Sequence, residues 1–209
     1  MKNLLFVPMA AFCMLLSSCK FTGKPSGDFN LLPQPLSFEF FGDSDMLPED
    51  LKYYRLADGI RLPLPPEYVE HMEETNTISG PQVVFRMDSH AVMGDEEYLL
   101  EIDRNHVTIS GVKKAGLLYG WMTLEQLMCD AEEQGVPLPL CRIEDSPELD
   151  YRAIQIDVKH HLDKKEYYYA LMDKLAHYKV NAIIAEVEDK LAYERQPLVG
   201  SSDALSIDE

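Results

Sequence analysis

The chain has 209 residues, 46% of them hydrophobic and 26% charged, a composition typical of a globular protein rather than of a disordered or collagen-like chain. This length allows one large domain or two small ones and is too short for a complete (β/α)8 barrel, which needs about 250 residues. Lys and Arg number 19 against 36 Asp and Glu, so the formal charge is −17. A chain this acidic repels phosphate backbones, which argues against nucleic-acid binding.

Residues 1–19 have the pattern of a bacterial lipoprotein signal. Lys2 precedes an apolar stretch over residues 4–16, which is too short for a bilayer span of about 20 residues. The stretch ends in two serines and Cys19, and this ending resembles a lipobox, in which the cysteine receives the lipid. We expect a lipid anchor at Cys19 in the bacterial envelope, in the outer membrane or periplasm. A plain secretory signal with an incidental cysteine is the alternative. Residues 20–30 are polar and contain Gly and Pro, which favours a tether.

Two further cysteines, Cys129 and Cys141, flank a loop that contains Gly and Pro. An oxidising envelope permits a disulfide between them, and two buried free thiols are the alternative. Neither has a His or Cys partner at metal-ligand spacing, so zinc is not expected here.

Residues 31–147 predict an α+β domain, with an antiparallel sheet and one packed helix. Ser37–Phe41 and Gln82–Met87 have the composition of strands. Glu97–Asp103 and His106–Ser110 alternate apolar and polar residues on either side of a short turn, which predicts a hairpin. A helix is predicted from Ala115 to about Cys129.

Within that helix, apolar residues recur at helical spacing from Leu117 onward. Trp121 lies on this stripe and is interpreted as a core anchor, with a sugar-stacking platform as the alternative. Gly116 and Gly120 share one flank of the helix. Because glycine has no side chain, this flank is expected to approach the sheet closely.

The spacing of apolar residues along the chain changes from residue 148 onward. Tyr151–Lys159 and Asn181–Val187 are strand-like and enclose a helix, for which Asp163 and Glu166 have the spacing of a capping box. Strand, helix and strand in so short a span predict a βαβ unit with parallel strands and a right-handed crossover.

The order of motifs resembles that of a known family. The helix motif lies between Gly111 and Leu127, the junction motif between Arg142 and Pro147, and Tyr151-Arg152-Ala153 opens the next strand. In this order and spacing they resemble family 20 glycoside hydrolases, the β-N-acetylhexosaminidases. The resemblance implies that residues 31–147 are the small α+β domain of that family. Residues 148–209 would then be the start of its catalytic (β/α)8 barrel, truncated after strand 2.

The resemblance also indicates where substrate binds. Typical members end strand 1 with D-x-x-R-H, and Asp157 and His161 match this pattern while His160 replaces the Arg. Typical members carry H-x-H-x-x-D-D on strand 2, whereas this chain has a variant E-x-E-D pattern. The resemblance therefore implies a substrate-binding set, with sugar hydroxyls as its ligands: His160, Glu186, Glu188 and Asp189.

Three other interpretations of this set remain open. Glu186 and Glu188, two apart on a strand, would lie roughly 6.6 Å apart, within the range of a catalytic carboxylate pair. The same residues could form a structural charge cluster with nearby basic side chains, namely Lys159, Lys190 or Arg195. The histidines and glutamates also suit a metal ion chemically, although adjacent strand residues point to opposite faces. We expect no metal and no cofactor.

The family's catalytic Asp-Glu pair follows barrel strand 4, and the acetamide oxygen of the substrate attacks the anomeric carbon. The sequence stops at Ser206-Ile207-Asp208-Glu209, a helix-start pattern, which predicts a truncated chain. We therefore expect the N-terminal portion of an exo-acting enzyme that removes terminal N-acetylhexosamine from glycans, inactive by itself. The alternative is a non-catalytic envelope lipoprotein that acts as a glycan-binding or docking module.

Overall fold

Two sheets organise the part of the chain that the computed structural model describes, residues 23–57, 60–77, 80–88, 94–160 and 162–206. The predicted signal, with Cys19, lies outside these residues, as does His161. The elements in chain order are β1 (Ser37–Asp43), β2 (Tyr53–Leu56), β3 (Glu73–Glu74), β4 (Gln82–Met87), β5 (Tyr98–Ile102), β6 (His106–Gly111), α1 (Lys114–Gln134), β7 (Pro139–Asp145), β8 (Ala153–Asp157), α2 (Lys165–His177) and β9 (Ala182–Glu186).

The larger sheet has seven strands in the order β1-β7-β5-β6-β4-β2-β3. Its β1, β7, β5 and β6 pair antiparallel, whereas β6, β4, β2 and β3 pair parallel. The prediction of an antiparallel sheet is therefore wrong for half of it. The hairpin β5–β6 is confirmed, because a short turn dictates antiparallel pairing. No such turn joins β4 to β6, and residue pattern alone does not reveal the direction of that pairing.

Helix α1 packs on one face of this sheet through its glycines and its tryptophan. A Cβ on Gly116 would overlap the Glu97 carbonyl oxygen, and one on Gly120 would lie 2.5 Å from Cγ2 of Ile109. Trp121 is fully buried, with its ring centroid 6.0 Å from that of Phe85. The close approach and the core role of Trp121 are both confirmed. We call β1–β7 with α1 the sheet unit.

Helix α1 runs five residues beyond its predicted end at Cys129. It continues to Gln134 and ends where Gly135 takes a φ of 64° and donates from its backbone N–H to the last turn. This left-handed glycine terminates the helix. Cys129 is an exposed free thiol on this helix, and Cys141 is a buried free thiol on β7. Burial raises the pKa of Cys141 to about 12.

The chain before β1 lies along α1. The backbone N–H of Asp28 donates to Gln134 Oε1 at 2.9 Å, and that of Asn30 donates to Asp130 Oδ2 at 2.8 Å. Ser26 donates to Asp43 at the end of β1. Residues 26–30 of the predicted tether are thus bound to the sheet unit, so any free tether ends before Ser26.

Strands β8 and β9 pair in parallel with α2 between them, as predicted. The N-cap of α2 is Lys164, with no side-chain cap hydrogen bond, so the predicted capping box at Asp163 is wrong. The helix begins one residue later than that spacing requires. None of its residues is buried, and Met172 is 43% exposed. We call β8, α2 and β9 the βαβ unit.

Arg152, immediately before β8, connects the two units. Its Nη2 donates to Glu96 Oε2 at 2.8 Å and to Tyr119 Oη at 3.3 Å, both in the sheet unit. Its Nε donates to the Lys179 carbonyl oxygen at 2.8 Å, beyond α2. One guanidinium thereby connects the segments that lead into β8 and β9 with the sheet unit.

Lys179 makes a second connection and is itself buried. Its Nζ donates to Asp145 Oδ2 and to Tyr98 Oη, each at 2.8 Å. Burial lowers the pKa of Lys179, and Asp145 opposes that shift. Burial likewise raises the pKa of Tyr98 well above its usual value, with a further contribution from Asp145. Lys179 has a φ of 61°, so a strained backbone presents this ammonium.

Among the described helices, none is both long and apolar enough to cross a membrane.

Candidate functional site

Charged side chains gather where β8 and β9 end. Asp157 and Glu186 are register neighbours at the carboxyl ends of these parallel strands. Parallel strands end at the same edge of a sheet, which is where open α/β structures place ligand sites. The structure places Asp157 and Glu186 at this edge.

Lys159 is the centre of this cluster. Its Nζ lies 2.5 Å from Glu186 Oε1, 3.5 Å from Glu188 Oε1 and 3.9 Å from Asp157 Oδ2. On the other side of Glu186, Gln155 Nε2 donates to Oε2 at 2.8 Å. Lys159 thus forms a charge cluster with Glu186 and Glu188, as one of the interpretations from the sequence expects.

The ionisation of the cluster follows from these contacts. The hydrogen bond from Lys159 is the largest cause that holds the pKa of Glu186 below its usual range, followed by the hydrogen bond from Gln155. The same bond to Glu186 raises the pKa of Lys159. A carboxylate with a lowered pKa and an ammonium with a raised one are both charged at neutral pH.

Glu188 does not continue β9. The strand ends at Glu186, and Glu188 opens a 3-10 turn, Glu188–Lys190, with a φ of 42°. The separation expected for two alternate positions of one strand therefore does not apply to Glu186 and Glu188. Sequence reasoning could not foresee this, because non-glycine residues rarely adopt a positive φ.

His160 and Asp189 lie at the border of the cluster. His160 is exposed after β8, and its charge contributes to the lowered pKa of Glu186. The carbonyl oxygen of Asp189 accepts hydrogen bonds from Ser201 N at 2.8 Å and Ser201 Oγ at 3.1 Å. The structure thus places His160, Glu186, Glu188 and Asp189 along one edge, and only the two glutamates contact Lys159.

A closed loop follows the turn. Leu191 forms an isolated bridge with Leu205, and Lys190 Nζ lies 2.9 Å and 3.0 Å from the two carboxylate oxygens of Asp203. Hydrogen bonds from Ser201 and Lys190 lower the pKa of Asp203 to about 2. Lys190 therefore pairs with Asp203 rather than with the predicted cluster, a partner that no local pattern indicated. We call residues 188–205 the closing loop.

Over the described ranges, no group of three or more His, Cys, Asp or Glu side chains is arranged to hold a metal ion. The metal interpretation of the histidines and glutamates therefore has no geometric support within these residues.

A cavity of about 350 Å³ lies elsewhere, at the junction of the two units. Tyr98, Tyr119, Arg152 and Lys179 line it together with Leu149, and its lining is mostly apolar. The sequence analysis assigned no role to Lys179. A single lysine that follows a helix does not by itself indicate a buried or functional position. The two cations that face this cavity are engaged in the contacts described above.

Part of the sheet unit matches a known protein family. A family model described as "Glycosyl hydrolase family 20, domain 2" matches residues 52–146. Residues 52–146 are therefore similar to domain 2 of the family 20 glycoside hydrolases. This segment lies within the sheet unit, and it confirms the family to which the helix and junction motifs pointed.

Named relatives agree with this assignment. The chain is 32% identical over 110 residues to a β-N-acetylhexosaminidase of Cellulomonas fimi, a match that covers 52% of this chain and 22% of the relative. It is 30% identical over 106 residues to a β-hexosaminidase of Vibrio vulnificus, covering 51% of this chain and 12% of the relative. The chain thus matches less than a quarter of the length of either relative.

Solved structures share the fold. The family 20 β-N-acetylhexosaminidase of Streptomyces coelicolor A3(2) superposes with a TM-score of 0.67 at 24% identity, over 81% of this chain and 38% of that one. The exo-β-N-acetylglucosaminidase of Vibrio harveyi superposes with a TM-score of 0.63 at 18% identity, over 85% of this chain and 29% of that one.

Proposed function

We propose that this chain is the N-terminal portion of an exo-acting glycoside hydrolase that removes terminal N-acetylhexosamine from glycans. One observation carries the proposal: a family 20 domain 2 leads directly into a parallel βαβ unit with carboxylates at its strand ends. The relatives named as hexosaminidases support the reaction class.

In this proposal the βαβ unit is the first part of a (β/α)8 barrel. Both of its faces carry exposed apolar residues, including Ile154 and Ile184 on the strands and Met172 on the helix. A complete barrel covers both such faces. The superposition with the Streptomyces coelicolor enzyme covers 81% of the chain. Because the sheet unit contains a smaller share of the residues than this, the superposition includes part of the βαβ unit, which supports the same proposal.

The side chains at the strand ends would bind the sugar rather than cleave it. Ionised carboxylates accept hydrogen bonds from hydroxyl groups, and His160 can donate one. Cleavage would need the Asp-Glu pair that the resemblance places after strand 4. The Glu of that pair would act as general acid and base, while the acetamide oxygen of the substrate attacks the anomeric carbon.

The proposal is tested by following the coding DNA past the codon of Glu209 and expressing both products. We expect an open frame that contains an Asp-Glu pair, and release of nitrophenol from 4-nitrophenyl N-acetylglucosaminide by the longer product only. Release by the 209-residue chain, or an inactive longer product, would contradict the proposal. A stop codon together with retained glycan binding would favour the docking module instead.

We also propose a lipid anchor at Cys19, which the sequence pattern of residues 1–19 supports. Expression in a bacterium with radiolabelled palmitate tests it. Cys19→Ser should lose the label and leave the membrane fraction, whereas Cys13→Ser, within the same signal, should keep both. Label that persists in Cys19→Ser would rule out this anchor.

A further inference from the structure

The cavity at the junction of the two units has the properties of a small-molecule site. Its volume of about 350 Å³ lies within the range of ligand pockets, roughly 300–1,000 Å³. Such pockets are common between packed units of a fold and have a mostly apolar lining, as this one has. Arg152, in its wall, lies immediately before β8, so the cavity adjoins the end of this strand that is opposite to Asp157.

The mouth of the cavity is apolar and accessible to solvent. Leu36 and Leu149 line it and are 63% and 67% exposed, and Pro33 and Pro147 line it beside them. A ligand that covers these side chains removes their apolar surface from water, which favours binding of a molecule with an apolar body.

The inner wall of the cavity carries hydrogen-bond donors that are not all used. The Lys179 ammonium has three N–H groups and makes two hydrogen bonds, to Asp145 Oδ2 and to Tyr98 Oη, although the residue is only 7% exposed. The Arg152 guanidinium has five N–H groups and makes four hydrogen bonds. One N–H of each cation therefore has no acceptor within the described part of the chain. Since a buried donor without an acceptor is costly, both N–H groups favour an oxygen atom in the cavity.

The charges around the cavity select against an anionic ligand. Lys179 is paired with Asp145, and Arg152 is paired with Glu96. Glu148, which is exposed, adds a third carboxylate to the lining. An anion would therefore enter a lining with more carboxylates than cations, in a chain whose formal charge is −17. A cation would offer no acceptor to the two N–H groups, so an uncharged oxygen such as a carbonyl fits them best.

We propose that the junction cavity is a binding site for a compact, uncharged and largely apolar molecule, whose carbonyl oxygen accepts hydrogen bonds from Lys179 and Arg152. The leucines and prolines at the mouth cover its apolar body. Because the ligand contacts Tyr98 of the sheet unit as well as Lys179 beyond α2, its binding stabilises the junction. This inference does not rest on the proposed glycosidase function, since it uses none of the side chains at the strand ends.

The first test is a titration of the 209-residue chain with three probes of similar size, followed by ¹H–¹⁵N NMR. Acetophenone has a carbonyl group, ethylbenzene lacks it, and benzoate carries a negative charge. Acetophenone should bind roughly threefold to tenfold more tightly than ethylbenzene, which is the contribution of one hydrogen bond. It should bind about tenfold or more tightly than benzoate, because the charge of benzoate has no free cation to pair with. The amide signals that shift should include those of Leu149 and Lys179.

The second test uses variants that change either the mouth or the donor. Leu36→Asp/Leu149→Asp should weaken the binding of acetophenone and of ethylbenzene alike by about tenfold, since both lose their apolar cover. Leu198→Asp, at a 99% exposed position of the closing loop, is the matched control and should bind as the parent chain does. Lys179→Met/Asp145→Leu removes the donor together with its counter-charge. This variant should keep ethylbenzene binding and lose the preference for acetophenone.

Each result decides one part of the inference. If none of the probes binds, or if the shifted amide signals lie away from the cavity, the site is wrong. If benzoate binds as tightly as acetophenone, the uncharged class of ligand is wrong. If Lys179→Met/Asp145→Leu keeps the preference for acetophenone, Lys179 is not the donor. The comparison of probes on the parent chain needs no variant to fold, and its failure leaves the proposed glycosidase function unchanged.

Discussion

Helices α1 and α2 both carry apolar residues at helical spacing, and the structure buries them very differently. Eleven residues of α1 are buried, among them Leu117, Trp121 and Leu124, whereas none of the 13 residues of α2 is. Helix α1 packs on a seven-stranded sheet, whereas α2 connects the strands of a two-stranded sheet. The spacing of apolar residues therefore predicts which side of a helix is apolar, but the burial depends on how much sheet faces it.

The first prediction compares one leucine from each helix. Leu124→Ala should reduce the free energy of unfolding by about 3–5 kcal/mol, because it opens a cavity in a closed core. Leu171→Ala, at a partly exposed position of α2, should cost less than about 1 kcal/mol. Urea unfolding followed by circular dichroism measures both, and Trp121, the single tryptophan, reports the sheet unit by fluorescence.

Equal losses in the free energy of unfolding of Leu124→Ala and Leu171→Ala would contradict this prediction. They would mean that α2 is covered as completely as α1 in solution, for example by a second copy of the chain. The dependence of the Leu171→Ala value on protein concentration would then identify such self-association.

The second prediction concerns the junction of the two units. Lys179→Met leaves Asp145, whose side chain is 12% exposed, without its cation and should cost about 3 kcal/mol. The double variant Lys179→Met/Asp145→Leu removes both charges and should recover most of that loss. Urea unfolding of both variants measures this difference. A double variant as unstable as the single one would show that packing, rather than the unpaired charge, dominates.

The third prediction addresses the contact between α1 and the sheet. Gly120→Ala places a Cβ 2.5 Å from Cγ2 of Ile109 and should cost about 1–2 kcal/mol, the net of overpacking and improved helix propensity. Thermal unfolding provides the measurement. Glu132→Ala, exposed on the same helix, should change stability by less than about 0.5 kcal/mol. If Gly120→Ala stabilises the protein instead, the sheet unit can shift to accommodate the added methyl group despite its close packing.

The smallest expected effect is an increase in the free energy of unfolding. Gln82 on β4 is 1% exposed, and neither of its side-chain polar atoms has a hydrogen-bond partner among the described residues. Gln82→Met has a similar shape and should stabilise the sheet unit by about 1 kcal/mol, because no buried polar group remains unpaired there. Chemical unfolding of this variant beside Gln196→Met, an exposed position, gives the comparison. A loss of stability would point to a hydrogen-bonded role for Gln82 in solution.

Local signals made much of the fold predictable. The β5–β6 hairpin turns at Asp103, whose Oδ1 accepts hydrogen bonds from the backbone N–H groups of Asn105 and His106, each at 2.7 Å. Such a turn depends on neighbouring residues, so the sequence reveals it. The short strands β2 and β3 escaped prediction, because their pairing depends on distant segments and they contain only four and two residues.

The same distinction applies to the site. Asp157 and Glu186 were expected at one edge, since the ends of parallel strands follow from the strand pattern. The positive φ of Glu188 and the pairing of Lys190 with Asp203 depend on the closing loop as a whole. Nothing in the residues adjacent to Lys179 indicates that Asp145, 34 positions earlier, is its partner.

The attachment of residues 26–30 to the sheet unit limits how far the protein could stand from a membrane. Six residues separate Cys19 from Ser26, so an extended chain reaches at most about 25 Å. With the proposed lipid on Cys19, the sheet unit would stay within roughly the width of one small domain of the bilayer surface. Glycans would then have to approach the membrane to be bound, and the surplus of acidic side chains would favour uncharged chains over anionic ones.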